Sequence, residues 1–198
     1  MRDLRTERLL LRAFTEADRD IVYRISSDPG TTRYLFYFGN EDSTPEQDTD
    51  RFVRYYMTLH AQKPQRSVEY AVVDAENDVV MGDASIEYLS DTLCEIGWIL
   101  LPEYRGKGYA SEAGRELLRY GFQEMGAEKI IAHCDARNDA SSRVMRRIGM
   151  TLIGIEPCGR RKKAFEEKPG DEMTWGIERE VWEQNWKASA KSEKPTAL

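Results

Sequence analysis

The 198-residue chain is short of histidine and cysteine and has no long apolar run. No segment approaches the ~20 consecutive apolar residues that a membrane-crossing helix needs, which excludes that architecture. The opening MRDLRTERLL is charged at once and lacks the apolar stretch and small-residue cleavage site of a secretory signal. The expectation is a cytoplasmic protein with no membrane partner. Three cysteines, Cys94, Cys134 and Cys158, are odd in number and not closely spaced, so they read as reduced thiols rather than a disulfide framework. Two histidines, His60 and His133, are too few for a histidine-based metal centre. His133 and Cys134 are adjacent and would point to opposite faces of a strand, a poor ligand pair, so no metal is expected. The net charge of -6 argues against general nucleic-acid binding and leaves cationic partners open. There is no internal repeat and no linker-like stretch.

What is present is an ordinary globular balance, 40% hydrophobic and 32% charged, at a length that suits one domain. RLLLRAF (8–14) is a β-prone run. Thr15 then caps a helical pattern in which Ala17, Ile21, Val22 and Ile25 recur, stopped by the DPG at 28–30. A second helix starts at Thr44, with Gln47 completing a capping box and Pro45 at the first helical position. SVEYAVVD and VVMGDASIEYL form a hairpin around AEND, and TLCEIGWILL (92–101) is a third strand in series. From Ala110 the period turns helical, with Ala113, Leu117, Leu118, Gly121 and Met125 on one face. EKIIAHCD reads as a buried strand. Asn138 caps a helix expected to turn Ala140, Val144 and Ile148 inward, and MTLIGIEP and EMTWGIE are two last strands. The order predicts a single α/β domain over residues 4–186. Its sheet is mixed, mostly antiparallel and of about seven strands, with helices on both faces and a loose tail from 187 to 198.

The segment YRGKGYA (104–110) lies where the third hairpin strand gives way to a helix. Gly106 and Gly108 let backbone N–H groups converge, the helix N-terminus adds partial positive charge, and Arg105 and Lys107 add full charges, a combination suited to a diphosphate. A Walker loop is excluded, because the spacing of Gly, four residues and Gly-Lys-Ser/Thr is absent. A dinucleotide fingerprint is excluded as well, because Ser111 stands where the third glycine belongs.

A third pattern fits. Arg105-x-x-Gly108-x-Ala110 resembles the R/Q-x-x-G-x-G/A signature of the GNAT superfamily of N-acetyltransferases. CEIGWILLPEYRGKGYASEA is similar to that family's fourth strand, loop and third helix. NDASSRVMRRIGM is similar to its N-x-x-S-x-x-V…G-F segment, with Met150 in place of Phe. TERLLLRAFTEAD and DEMTWGIEREVW resemble the branch that includes ribosomal-protein N-terminal acetyltransferases. The resemblance spans roughly residues 4–186. It implies an acetyl-CoA-dependent enzyme that acetylates a primary amine by direct attack in a ternary complex.

That chemistry needs a base for the amine, a donor for the developing oxyanion and a partner for the departing thiolate. The resemblance puts Glu95 within one residue of the general-base position of the family's histone-acetyltransferase branch, with Glu87 on the preceding strand as the alternative and ordered water serving either. It puts the oxyanion donor in the Trp98–Leu101 stretch, with Ile99 and Leu100 as donors and Leu101 completing the backbone edge for the pantetheine arm. The diphosphate cradle is Arg105, Gly106, Lys107, Gly108, Tyr109 and Ala110. Many relatives carry a tyrosine seven residues after the asparagine; here that position is Met145, which has no proton to give. Ser141 is then the thiolate partner or a helix-capping residue, and Asn138 a cap, a pantetheine contact or both. Arg143 is the candidate cation for a CoA phosphate. The aromatic YLFYFGN (34–40) falls where the family shapes its acceptor entrance, and GRRKK (159–163) lies in the last hairpin. Met145 keeps open a second function, a non-catalytic acyl-CoA sensor. A homodimer is compatible with the reading.

Overall fold

The computed structural model describes residues 2–35, 43–157 and 170–192. Most of YLFYFGN, all of GRRKK and Cys158 lie outside these residues. Among the described residues eight strands form one sheet: β1 (Leu4–Arg5), β2 (Leu9–Ala13), β3 (Ser67–Asp74), β4 (Val79–Tyr88), β5 (Leu93–Leu100), β6 (Lys129–Asp135), β7 (Thr151–Glu156) and β8 (Glu172–Glu178). They stand in the order β1-β2-β3-β4-β5-β6-β8-β7; β5 and β6 run parallel, and the other pairs of described strands run antiparallel. The additional strand is β1, two residues that pair Leu4 with Leu11 and Arg5 with Leu10, too short to show an alternating pattern in sequence.

The helices among the described residues are α1 (Arg19–Ser27), α2 (Pro29–Thr32), α3 (Pro45–Ala61), α4 (Tyr109–Gln123), α5 (Asp139–Arg147) and α6 (Arg179–Ser192). The capping box at α3 forms as read, with the Gln47 N–H donating to Thr44 Oγ1 at 3.3 Å and the Thr44 N–H to Gln47 Oε1 at 3.0 Å. The DPG motif ends α1 and also starts α2, because Asp28 Oδ2 accepts from the Thr31 N–H at 2.7 Å and Pro29 suits a first helical position. Sequence reading placed no helix after β8. There α6 packs Trp182 on Phe122 at 5.2 Å between ring centroids. No helix among the described residues is long and apolar enough to cross a membrane.

Alternation along the strands divides the core in two. On one face Tyr70, Ile86, Ile96 and Ile130 pack against Leu117, Leu118 and Phe122 of α4. On the other, Ala71 and Val73 pack against Val22 of α1 and Val53 and Tyr56 of α3. The side chains of Glu69, Asp83, Glu87, Glu95, His133 and Thr174 fall on this second face by register.

Candidate active site

The site begins where two parallel strands part. β5 pairs with β6 only at Leu93–Lys129, Cys94–Ile130 and Glu95–Ile131. Beyond Glu95, β5 stays paired with β4 as far as Leu100, but its other edge is left open. The Leu101 N–H donates to Met81 O at 3.0 Å, on the β4 side. Antiparallel alternation therefore turns the Leu100 N–H and C=O toward the opening. Arg105 Nε meets Leu100 O there at 2.7 Å. By the same alternation the amide of Ile99, the other expected oxyanion donor, faces β4, where Ile99 pairs with Asp83.

A 3₁₀ turn, Pro102–Tyr104, then leads into Arg105–Gly108 and α4. Gly108 is the N-cap of α4 at φ +87°, a left-handed conformation that glycine adopts without strain, and no side chain caps the helix. The first helical amides, those of Tyr109, Ala110 and Ser111, have no acceptor within the helix; the Glu112 N–H is the first to bond back, to Gly108 O at 3.0 Å. Arg8 braces the turn from outside. Its Nη1 donates to Lys107 O at 3.2 Å, and its Nη2 pairs with Glu112 Oε2 at 2.6 Å. Burial opposes the charge on Glu112, but hydrogen bonds from Thr6 and Arg8 outweigh it and hold the carboxyl below its ordinary range.

Opposite the turn, Asn138 Oδ1 accepts from the Ser141 N–H at 3.1 Å and so caps α5. The inward face of α5 differs from expectation. Ser142, Met145 and Ile148 enter the core, whereas Ala140 and Val144 stand on the adjoining stripe and face the opening. Both stripes have the same helical period, so sequence spacing alone does not separate them.

These elements enclose a cavity of about 360 Å³. From the turn, Arg105, Gly106, Gly108, Tyr109 and Ala110 reach its wall; from β5, Ile99 and Leu100; from α5, Asn138, Ser141 and Arg143. Three expected residues do not. Leu101 is buried beneath the wall. Lys107 turns its ammonium over the Tyr104 ring, 5.8 Å from the centroid. Glu95 stands behind His133. Arg105 lines the wall but is also a clamp, since its Nη2 donates to Thr31 Oγ1 at 2.8 Å, tying α2 to the end of β5.

On two observations the cavity suits an extended ligand that carries polar groups. Its floor is an open strand edge, and Ser111 Oγ on its wall is buried with no hydrogen-bond partner among the described residues, an orphan group of the kind a polar ligand satisfies. The family pattern described as an acetyltransferase (GNAT) domain matches residues 8–151, most of the chain. The chain belongs to the GNAT acetyltransferase family. An N-acetyltransferase of uncharacterized role from Bacillus subtilis (strain 168), YnaD, is 36% identical over 151 residues, which are 76% of this chain and 83% of that protein. The crystal structure of a GNAT-family acetyltransferase from Bacillus anthracis superimposes with a TM-score of 0.75 at 32% identity, covering 90% of this chain and 99% of its own. A spermidine N-acetyltransferase from Vibrio cholerae, solved with CoA and spermine, shares the fold at a TM-score of 0.73 and 19% identity, covering 89% of this chain and 99% of its own. The chain is thus an acyltransferase of the N-acetyltransferase class.

Other wall residues of this GNAT protein fall outside the site read from its sequence, apart from Trp98, which bounds the expected oxyanion stretch. Thr31 and Trp98 line the cavity, and so does Arg147, one turn beyond Arg143 on α5. As a metal ligand His133 makes a poor pair with Cys134. The same alternation that separates that pair puts His133 on the Glu95 face, with Nε2 3.9 Å from Glu95 Oε2 and Nδ1 3.0 Å from Glu172 Oε1. Strand parity held this signal; the register between β5 and β6 was needed to use it.

Behind the Ile99 wall, Asp83 is buried on β4, and burial raises its carboxyl to about 7. Burial and the neighbouring charges of Asp83 and Glu87 push Glu69 up as well. An unfolded aspartate releases its proton near 3.9, so between that value and about 7 the folded chain holds a proton the unfolded chain has lost. Stability therefore falls as pH rises through this interval. Asp83→Asn should flatten much of that fall and raise stability above pH 7. Urea denaturation at a series of pH values checks it; parallel curves for the two proteins would contradict the assignment.

Proposed function

We propose that this GNAT protein acetylates a primary amine, with acetyl-CoA as donor, by direct attack in a ternary complex. The observation that carries the reading is the parting of β5 from β6 beside an uncapped α4 N-terminus. The opened edge of β5 offers the Leu100 N–H to the developing oxyanion and pairs with the pantetheine arm as an added strand would. The amides of Tyr109, Ala110 and Ser111 hold the diphosphate beside Arg105, and Arg143 adds a cation across the cavity. Asn138 caps α5 and contacts the pantetheine arm, while Ser141 delivers a proton to the departing thiolate directly or through water. Glu95 is the general base, or Glu87 in its place, and takes the ammonium proton through ordered water. Protein N-termini and small amines, polyamines among them, satisfy this chemistry, and the net charge of -6 favours a cationic acceptor.

A thiol-release assay over a panel of peptides with free N-termini, polyamines, amino acids and aminoglycosides tests the proposal. At least one amine should release CoA with matching acetylation by mass spectrometry. Tight acetyl-CoA binding with no turnover over the whole panel would favour the acyl-CoA sensor, which Met145 at the tyrosine position first raised.

A further inference from the structure

A chain of polar groups runs from the start of α2 to the last residue of β5. Thr31 Oγ1 donates to Asp28 Oδ2 at 2.5 Å, and the Thr31 N–H donates to the same oxygen at 2.7 Å. A hydroxyl has one hydrogen, so the one spent on Asp28 leaves lone pairs toward Arg105. Arg105 Nη2 donates into them at 2.8 Å, and its Nε donates to Leu100 O at 2.7 Å. The Thr31 hydroxyl leads the hydrogen bonds that hold Asp28 below the usual carboxylate range, and the charge of Arg105 adds to them. Thr31 is buried, so water does not readily replace either contact. Both of these Arg105 bonds go to neutral oxygens, so its charge stays available on the cavity wall. The same segment is docked by other routes as well. Ile25 and Leu101 pack together with Leu35, Ile99 and Tyr104 around them, and Arg24 pairs with Glu103 at 2.5 Å on the surface.

Resting on the acetyltransferase reading above, we propose that Thr31 is a positioning residue for acetyl transfer: it holds the Arg105 fork, and the fork holds the Leu100 backbone where its N–H meets the oxyanion. When the amine nitrogen bonds the acetyl carbon, the carbonyl electron pair moves onto oxygen, and the Leu100 N–H is the donor it meets. The pair returns to re-form the carbonyl as the carbon–sulfur bond breaks and its electrons go to sulfur. Thr31 and Arg105 give up no proton in either step; their part is geometric. Leu100 ends β5, and its C=O faces the opening left where pairing with β6 stops at Glu95. The Arg105 Nε bond takes the place of the missing strand there. A donor of this kind acts by being in place before charge develops, so slack in the Leu100 backbone is paid in rate. The guanidinium suits the task because its N–H groups lie in one rigid plane and can hold Leu100 O and Thr31 Oγ1 together. A lysine would carry the charge on a flexible stem and hold neither in register.

The test is Thr31→Val, which removes Oγ1 and keeps the side chain's shape, the Thr31 N–H and the apolar contacts around Leu101. With an amine identified from the panel, kcat should fall about 10-fold, part of the roughly 100-fold or more that outright loss of an oxyanion donor costs. The KM for acetyl-CoA should stay within about threefold, because the contact acts on the transition state and the freed fork keeps its charge on the wall. Thr31→Ser restores the hydroxyl and should bring kcat back to within about threefold of wild type. Arg105→Lys, at an exposed position, is the second arm and should lower kcat by a similar factor. In the Arg105→Lys protein, adding Thr31→Val should cost less than about twofold more, because the two side chains act as one unit. If the valine methyl brings the melting temperature below the assay range, Thr31→Ala makes the same cut with less bulk. Wild-type kcat in Thr31→Val or in Arg105→Lys overturns the proposal. So does a full further loss from Thr31→Val in the Arg105→Lys protein, which would make Thr31 a structural partner of Asp28 alone. In each of those cases the acetyltransferase reading stands. Absence of turnover by the wild-type protein over the full panel overturns both.

Discussion

Gly82→Ala should lower the melting temperature by about 6–12 °C, the shift that a loss of ~3 kcal/mol produces in a chain of this size. Gly82 lies on β4 opposite Leu100. A Cβ built there falls 2.0 Å from Ile99 O and 2.9 Å from Leu100 Cα. Both are backbone atoms of the paired strand, so no side-chain rotation relieves the collision and β4 must move away from β5. The displaced segment carries the Leu100 amide assigned to the oxyanion, and its edge is the floor of the cavity. The variant should therefore also bind acetyl-CoA more weakly than its melting temperature alone would suggest. Circular dichroism melts with and without acetyl-CoA measure both effects. A melting temperature within a degree of wild type would mean that the close approach of the strands is not tight.

Gly108→Trp should weaken acetyl-CoA binding by at least 100-fold, about 3 kcal/mol, while leaving most of the fold's stability intact. Gly108 takes φ +87° at the start of α4, a region L side chains rarely enter, so any substitution strains the turn. An alanine Cβ would only touch Arg8 Nη2 at 3.4 Å. An indole is another matter, because Gly108 is on the cavity wall and the ring has to occupy the space through which a diphosphate approaches the helix amides. The residue is not part of the buried core, so the melting temperature should change far less than for Gly82→Ala. Isothermal titration with acetyl-CoA reads the affinity directly. Binding within threefold of wild type would remove the turn from the cofactor site.

Local chemistry made much of the protein legible from its residues. Thr44 with Gln47 and Pro45 marked the start of α3 because a capping box satisfies helix-end donors with side chains three positions apart. The turn 104–110 announced itself in the same way, since paired glycines, two cations and a helix start act over a few residues. The GNAT fold and family followed from those short-range patterns in their order. What failed to show was long-range or too short to have a period. The two residues of β1 have no alternation to detect. The core and cavity stripes of α5 lie side by side at one spacing, so Ala140 and Val144 could change places with Ser142 and Met145 without altering the pattern.

The sequence by itself determined which segments are strand and helix along most of the chain, the glycine turn, and the family, because each is written in contacts between near neighbours. Only the tertiary structure decided which of those segments make the site. It separated β5 from β6 after Glu95, turned the Ile99 amide toward β4 and left the Leu100 amide facing the opening. It also set His133 between Glu95 and Glu172, residues 38 and 39 positions away along the chain. Those outcomes depend on strand register and on which edges remain unpaired, and hydrogen bonding between distant strands fixes both.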